Sequence, residues 1–166
     1  MKTANNFTIT PATDADIPSI LDLIHQLAVY EKLEHMVTGS EAMLRKALFG
    51  ASPACACVLA REGVTVLGFA LFFTTFSTFL CKPGIYLEDL FVIPAARGRG
   101  IGRAMLKHLA QLALERDCGR FEWRVLDWNA PSIAFYKSLG AGIMPEWHLV
   151  RMTEAEMAVL AGQGEG

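Results

Sequence analysis

The stretch YLEDLFVIPAARGRGIGRAMLKHLAQLALE, residues 86–115, limits what this chain can fold into more than any other part of it. Its first eight residues read as a strand that carries two adjacent acids, Glu88 and Asp89, and Pro94 closes it because proline donates no ladder hydrogen bond. From about Ile101 to Arg116 the pattern changes to a helix, with Ile101, Met105, Leu109 and Leu112 on one face and Gly119 past the end. Strand, glycine-dense loop and helix in that order predict an α/β domain with a mixed sheet. Neighbouring strand residues face opposite ways, so Glu88 and Asp89 are expected on opposite faces unless a bulge intervenes.

The flanking sequence supplies the other elements. Residues 7–11 read as a first strand. Ile17, Ile20, Leu21, Ile24, Leu27 and Ala28 recur at helical spacing behind a Thr13–Asp16 start signal. EAMLRKALF, begun by Thr38–Ser40 and stopped at Gly50, is a second helix. ACACVLARE and VTVLGFALFF form a hairpin through Glu62–Gly63, and Lys82–Pro83–Gly84 is a turn signal before the strand at 86. RFEWRVLDW is a fifth strand, NAPSIAFYKSLGA a short helix, WHLVRM a last strand and TEAEMAVLAG a final helix with a Thr153–Glu156 cap. No repeat or linker breaks the chain, so residues 1–166 are expected to form one domain, with a frayed glycine-rich tail from about 162.

Composition narrows the function classes. With 166 residues, 52% hydrophobic and 19% charged, the chain can bury a sizeable core. Its net charge of −2 disfavours a nucleic-acid binder. The longest apolar run, 66–73, is far short of the roughly 20 residues that span a bilayer. The first ten residues lack an apolar export core, and the expected location is cytoplasmic. Cys55, Cys57, Cys81 and Cys118 lack the paired spacing of a zinc site, so buried thiols and no metal are expected.

The loop Arg97-Gly98-Arg99-Gly100-Ile101-Gly102 suits an anion. Glycines let backbone N–H groups converge without Cβ obstruction, and the helix start adds partial positive charge. Arg97, Arg99, Arg103 and Lys107 add four full charges. The G-x-x-x-x-G-K-[ST] pattern fails because no Lys-Ser/Thr pair follows. The dinucleotide pattern G-x-G-x-x-G fails because Arg103 or Met105 takes the third glycine's place. A tight turn with solvated arginines is the competing reading of the loop.

The run V-I-P-A-A-R-G-R-G-I-G, residues 92–102, resembles the acetyl-CoA pyrophosphate loop, R-x-x-G-x-G, of the GNAT superfamily of N-acetyltransferases. YLEDLFV at 86–92 and DWNAPSIAFYKSLGA at 127–141 resemble the spermidine/spermine (diamine) and thialysine N-acetyltransferase branch. The resemblance implies a mixed, mostly antiparallel sheet flanked by helices, with parallel strands 4 and 5, here 85–93 and 120–127, splayed around the pantetheine arm. It implies that the backbone of Gly98, Arg99, Gly100, Ile101, Gly102 and Arg103 cradles the pyrophosphate beside Arg97. Main-chain groups of Phe91, Val92 and Ile93 would hold the arm, and Asn129 and Ser132 match further cofactor contacts.

An alkyl amine with a pKa near 10 must lose a proton before it attacks a thioester. The resemblance places a general base at Glu88, whose carboxyl burial beside Leu87 and Leu90 would raise toward the working range. It places a proton donor at Tyr136, which by residue type alone reads first as aromatic packing with Phe135. Tyr30, Glu31 and Glu34 match an acidic, aromatic entry for cationic amines, and Trp147 matches a far wall. Glu31 and Glu34 also read as an ordinary solvated helix end. The polyamine enzymes have an Asp-Pro-Trp-like segment where this chain has Ser77 to Cys81, so shorter amines fit at least as well as long polyamines. His25, His35, His108 and His148 belong to no obvious catalytic arrangement. The implied protein is a homodimeric, acetyl-CoA-dependent enzyme acting on a small amine. The alternatives are an acyl-CoA-binding sensor, an N-acetyltransferase for proteins or other amines, and a nucleotide binder.

Overall fold

The computed structural model describes residues 6–163. The chain divides into two compact units, Met1–Arg124 and Val125–Gly166. The first holds a five-stranded sheet in the order β1-β2-β3-β4-β5: β1 Thr8–Pro11, β2 Ala56–Glu62, β3 Thr65–Ser77, β4 Lys82–Val92 and β5 Arg120–Trp123. The first three junctions are antiparallel and β4–β5 is parallel. A parallel pair needs a crossover, which helix α3, Ile101–Glu115, provides. The mixed α/β architecture flanked by helices is therefore present as expected.

Two helices, α1 Ile17–Glu31 and α2 Glu41–Phe49, cover one sheet face. Ile17, Ile20, Leu23 and Leu48 pack there on Cys57, Leu59, Phe69, Leu71 and Phe91. Each large side chain buried in this way contributes about 1.5–3 kcal/mol. Val58, Ala60, Ala70, Phe72, Ile85 and Leu87 alternate with these positions and are buried on the opposite face. That face receives α3, whose Ile101, Met105, Leu106, Leu109 and Ala113 are buried.

The start signals behave as read. Thr13 N–H donates to Asp16 at 2.7 Å in a capping box, and Ser40 Oγ accepts from Met43 N–H at 3.3 Å. The β2–β3 hairpin turns at Gly63, with φ 59°. α1 ends where Lys32 turns left-handed, with φ 61°, and Leu33 N–H donates to the Ala28 carbonyl at 2.8 Å.

Three boundaries differ from the sequence expectation. Lys82–Pro83–Gly84 lies inside β4, opposite Ser77, Phe76 and Thr75. Gly84 serves close packing, since a Cβ there would meet Thr75 Oγ1 at 2.8 Å and the Arg120 carbonyl at 3.2 Å. The turn falls instead at 78–81, where Cys81 has φ 50°. β5 stops at Trp123 because only Gly84–Leu87 of β4 pair with it. WHLVRM forms no strand: among the described residues it has no ladder partner, and Trp147 and Val150 are 72% and 87% exposed.

In the second unit, α4 spans Ala130–Ser138 and α5 spans Glu154–Leu160. α5 starts with a capping box in which Thr153 N–H donates to Glu156 Oε2 at 2.6 Å. The expected frayed tail falls, from residue 164, outside the described residues.

Candidate active site

The register of β3 against β4 shifts in the middle. Leu71 opposes Asp89 and Phe72 opposes Leu87, which leaves Glu88 without a counterpart. This is a β-bulge, two residues set against one, and it resets the alternation of side chains. Leu87 keeps to the Phe72 face, while Asp89 and Phe91 join Leu71 and Phe69 on the α1 face. Burial first, and then the charge of Glu88, raises the pKa of Cys55, which packs against the α1-face core; the same Glu88 charge adds to burial at Asp89. Glu88 and Asp89 thus share a side, unlike the two-faced arrangement of an unbulged strand.

The burial expected at Glu88 falls on its neighbour, because the bulge leaves Glu88 exposed and sets Asp89 over the α1-face core. Burial first, then the charges of Glu88 and Glu31, push the Asp89 carboxyl up to about 6. Glu31, at the end of α1, is itself raised by burial. Three acids from two elements therefore meet at one end of the first unit. Asp89 was no site candidate by sequence; the available signal was a second acid inside an otherwise apolar strand.

The bulge also coincides with the end of the β4–β5 ladder, which closes at Leu87 opposite Trp123. From Glu88 to Val92 the far edge of β4 has no strand partner among the described residues. Such an edge presents main-chain donors and acceptors to an extended molecule. Phe91, Val92 and Ile93 lie along this stretch or directly after it.

Next comes the loop. Pro94–Ala96 form a short 3₁₀ turn and Arg97 is extended, with φ −65° and ψ 158°. Gly98 and Gly100 are left-handed, at φ 77° and 81°. A Cβ at either would touch nothing within 4 Å, so conformation rather than space demands glycine there. Left-handed residues in such a run turn successive N–H groups toward one concavity. Gly100 is also the N-cap of α3 and has no side chain with which to satisfy the first amides of the helix, at Ile101, Gly102 and Arg103. This mouth suits a phosphate.

The loop arginines diverge. Arg103 is exposed on the first turn of α3. Arg99 turns to the β2–β3 hairpin, where its two terminal nitrogens meet the Glu62 carboxylate at 2.6 and 3.3 Å. No local sequence signal links that pair. Arg97 Nε donates to the Val92 carbonyl at 3.0 Å. Its guanidinium carbon lies 4.9 Å from the Tyr30 ring centroid and 5.5 Å from that of Phe91. Glu34 stands in a 3₁₀ turn, Glu34–Met36, beyond α1.

In the second unit, Asn129 Oδ1 accepts from Ser132 N–H at 3.3 Å and caps α4. Tyr136 is half-buried, its ring 5.4 Å from that of Phe135. Trp147 is exposed, in a turn where its N–H donates to the Met144 carbonyl at 3.3 Å. Among the described residues no group of three or more His, Cys, Asp or Glu side chains is placed to hold a metal ion. Nor is any described helix long and apolar enough to cross a membrane.

The chain is similar to known proteins. A thialysine N-epsilon-acetyltransferase of Sus scrofa is 38% identical over 93% of this chain and 97% of its own length. An L-ornithine N5-acetyltransferase of Arabidopsis thaliana is 33% identical over 86% of this chain and 82% of its own. Among solved structures, an integron cassette protein of Vibrio cholerae superposes with a TM-score of 0.79, at 29% identity over 94% of this chain and 98% of that one. The sequence profile of the Acetyltransferase (GNAT) family matches residues 23–141, from α1 to just past α4 and across the whole glycine loop. The chain is an acyltransferase that belongs to the GNAT acetyltransferase family.

Proposed function

We propose that the enzyme transfers the acetyl group of acetyl-CoA to the primary amine of a small cationic substrate by direct attack in a ternary complex. The observation that carries this reading is the run from the Glu88 bulge to the loop at 97–103. It sets a carboxylate, an unpaired strand edge and an uncapped helix mouth within one short piece of chain. The amides of Gly98, Arg99, Gly100, Ile101, Gly102 and Arg103 hold the diphosphate, with Arg97 adding charge nearby. The main chain of Phe91, Val92 and Ile93 binds the pantetheine arm, and Asn129 and Ser132 add cofactor contacts.

The amine arrives as an ammonium ion and gives a proton to Glu88, directly or through water. Its freed lone pair forms a C–N bond to the thioester carbonyl carbon, and main-chain N–H near Leu90 and Phe91 stabilises the oxyanion. The oxyanion then collapses to the carbonyl as the C–S bond breaks; the departing thiolate takes a proton from Tyr136, and the extra proton on the new amide nitrogen passes to the tyrosinate, directly or through water. The acids Glu31 and Asp89 beside Glu88 favour a positively charged acceptor, with Tyr30, Glu34 and Trp147 assigned to the same substrate.

Support for a short acceptor comes from two directions. The relatives are named for thialysine and ornithine, both short amino-acid amines. The turn at 78–81 also contains no acid: it reads Thr78, Phe79, Leu80 and Cys81. The same reading takes the chain as a single-domain, cytoplasmic homodimer that needs no metal, nucleic acid or membrane. A thiol-release assay across thialysine, ornithine, lysine and polyamines tests it. Release with a short diamino acid is expected; tight acetyl-CoA binding with no release for any amine supports a sensor instead.

A further inference from the structure

The Arg97 side chain departs from what a phosphate loop asks of an arginine. An arginine held for diphosphate would offer its planar fork to the anion. Here Nε is spent on the Val92 carbonyl at 3.0 Å, and the guanidinium carbon sits 4.9 Å from the Tyr30 centroid and 5.5 Å from that of Phe91. The stack therefore joins three elements: the loop, the last residues of β4 and the final turn of α1.

Its far end is not neutral ground. Tyr30 is followed by Glu31, the last residue of α1, and the helix ends at the left-handed Lys32. The charge of Glu31 reaches Asp89, which lies beside Glu88. A continuous path thus runs from Gly98 through Arg97 to Tyr30, Glu31 and the acids at the bulge.

We infer that Arg97 is a positioning residue: by stacking on Tyr30 it couples occupancy of the 98–103 loop to the acceptor-receiving end of α1. The inference rests on the acetyl-CoA reading of that loop. Binding at the loop amides fixes the Arg97 backbone one residue away, and the guanidinium in turn holds Tyr30 and the adjoining Glu31. Coupling of this kind is reciprocal, so an acceptor raises acetyl-CoA affinity by the factor that acetyl-CoA raises acceptor affinity.

Arg97→Lys separates the two roles, since lysine keeps the charge but loses the planar stack and the Nε donor. In the wild type, acetyl-CoA should slow amide hydrogen exchange at residues 28–31. Arg97→Lys should bind acetyl-CoA within about twofold of wild type yet lose that protection, and raise the acceptor KM about fivefold. Tyr30→Leu should also lose the protection, and the double variant should be no worse than either single one. Multiplying effects in the double variant, or unchanged exchange at 28–31 when the wild type binds acetyl-CoA, overturns the coupling alone. So does an Arg97→Lys variant that loses tenfold in acetyl-CoA affinity while keeping the protection. A wild type that binds no acetyl-CoA defeats the functional reading and the coupling with it.

Discussion

Glu88 and Asp89, adjacent in sequence, lie on the same side of β4, because the bulge opposite Leu71 and Phe72 removes the alternation that would have parted them. Glu88 is the exposed acid of the two. The more buried one holds its proton to about pH 6. The Asp89 carboxyl is thereby raised well above the ordinary carboxylate range by its surroundings alone.

Glu88→Gln should lower kcat on the order of a hundredfold while leaving acetyl-CoA affinity within about twofold. Steady-state thiol release and calorimetric titration of acetyl-CoA give the two numbers. An unchanged kcat across pH removes Glu88 as the base.

Asp89 predicts a pH effect on stability with a defined sign. Its folded pKa, about 6, is raised above the ordinary 3.8, so its contribution is complete below about pH 4 and is lost as pH rises through 6. Asp89→Asn cannot ionise. Its stability relative to wild type should therefore improve between pH 4 and pH 7 by about 2 kcal/mol. Urea melts of both proteins at pH 4.5 and 7.5 measure this, and equal differences at the two values contradict it.

Gly100→Ala meets no neighbour but must hold a side chain at φ 81°. The cost is about 1 kcal/mol in urea melts. Distortion of the loop amides should weaken acetyl-CoA binding by tenfold or more, whereas Gly142→Ala, which also has open space and no positive φ, should bind normally. Calorimetry on the pair of variants checks both outcomes.

Tyr136→Phe keeps the ring against Phe135, so stability should change by less than about 1 kcal/mol. Loss of the hydroxyl should lower kcat on the order of a hundredfold, with KM for the acceptor nearly unchanged. A variant with wild-type kcat shows that the ring only packs.

What could be read from the chain alone was local. The helix signature after Gly100 and the start signals at Thr13, Ser40 and Thr153 each depend on a few neighbouring residues, and all appear where the sequence places them. Pairing between distant segments decided the rest. The position of the bulge, hence the shared side of Glu88 and Asp89, depends on how β3 meets β4, and neither strand encodes that register by itself. The strand expected at WHLVRM has no ladder partner among the described residues, while β5 stopped where β4 ceased to pair with it. The stack of Arg97 on Tyr30 joins the loop to the end of α1, which no local pattern brings near. Backbone conformation answers to the residues beside it, whereas burial, register and charge environment answer to residues that only the folded chain brings near.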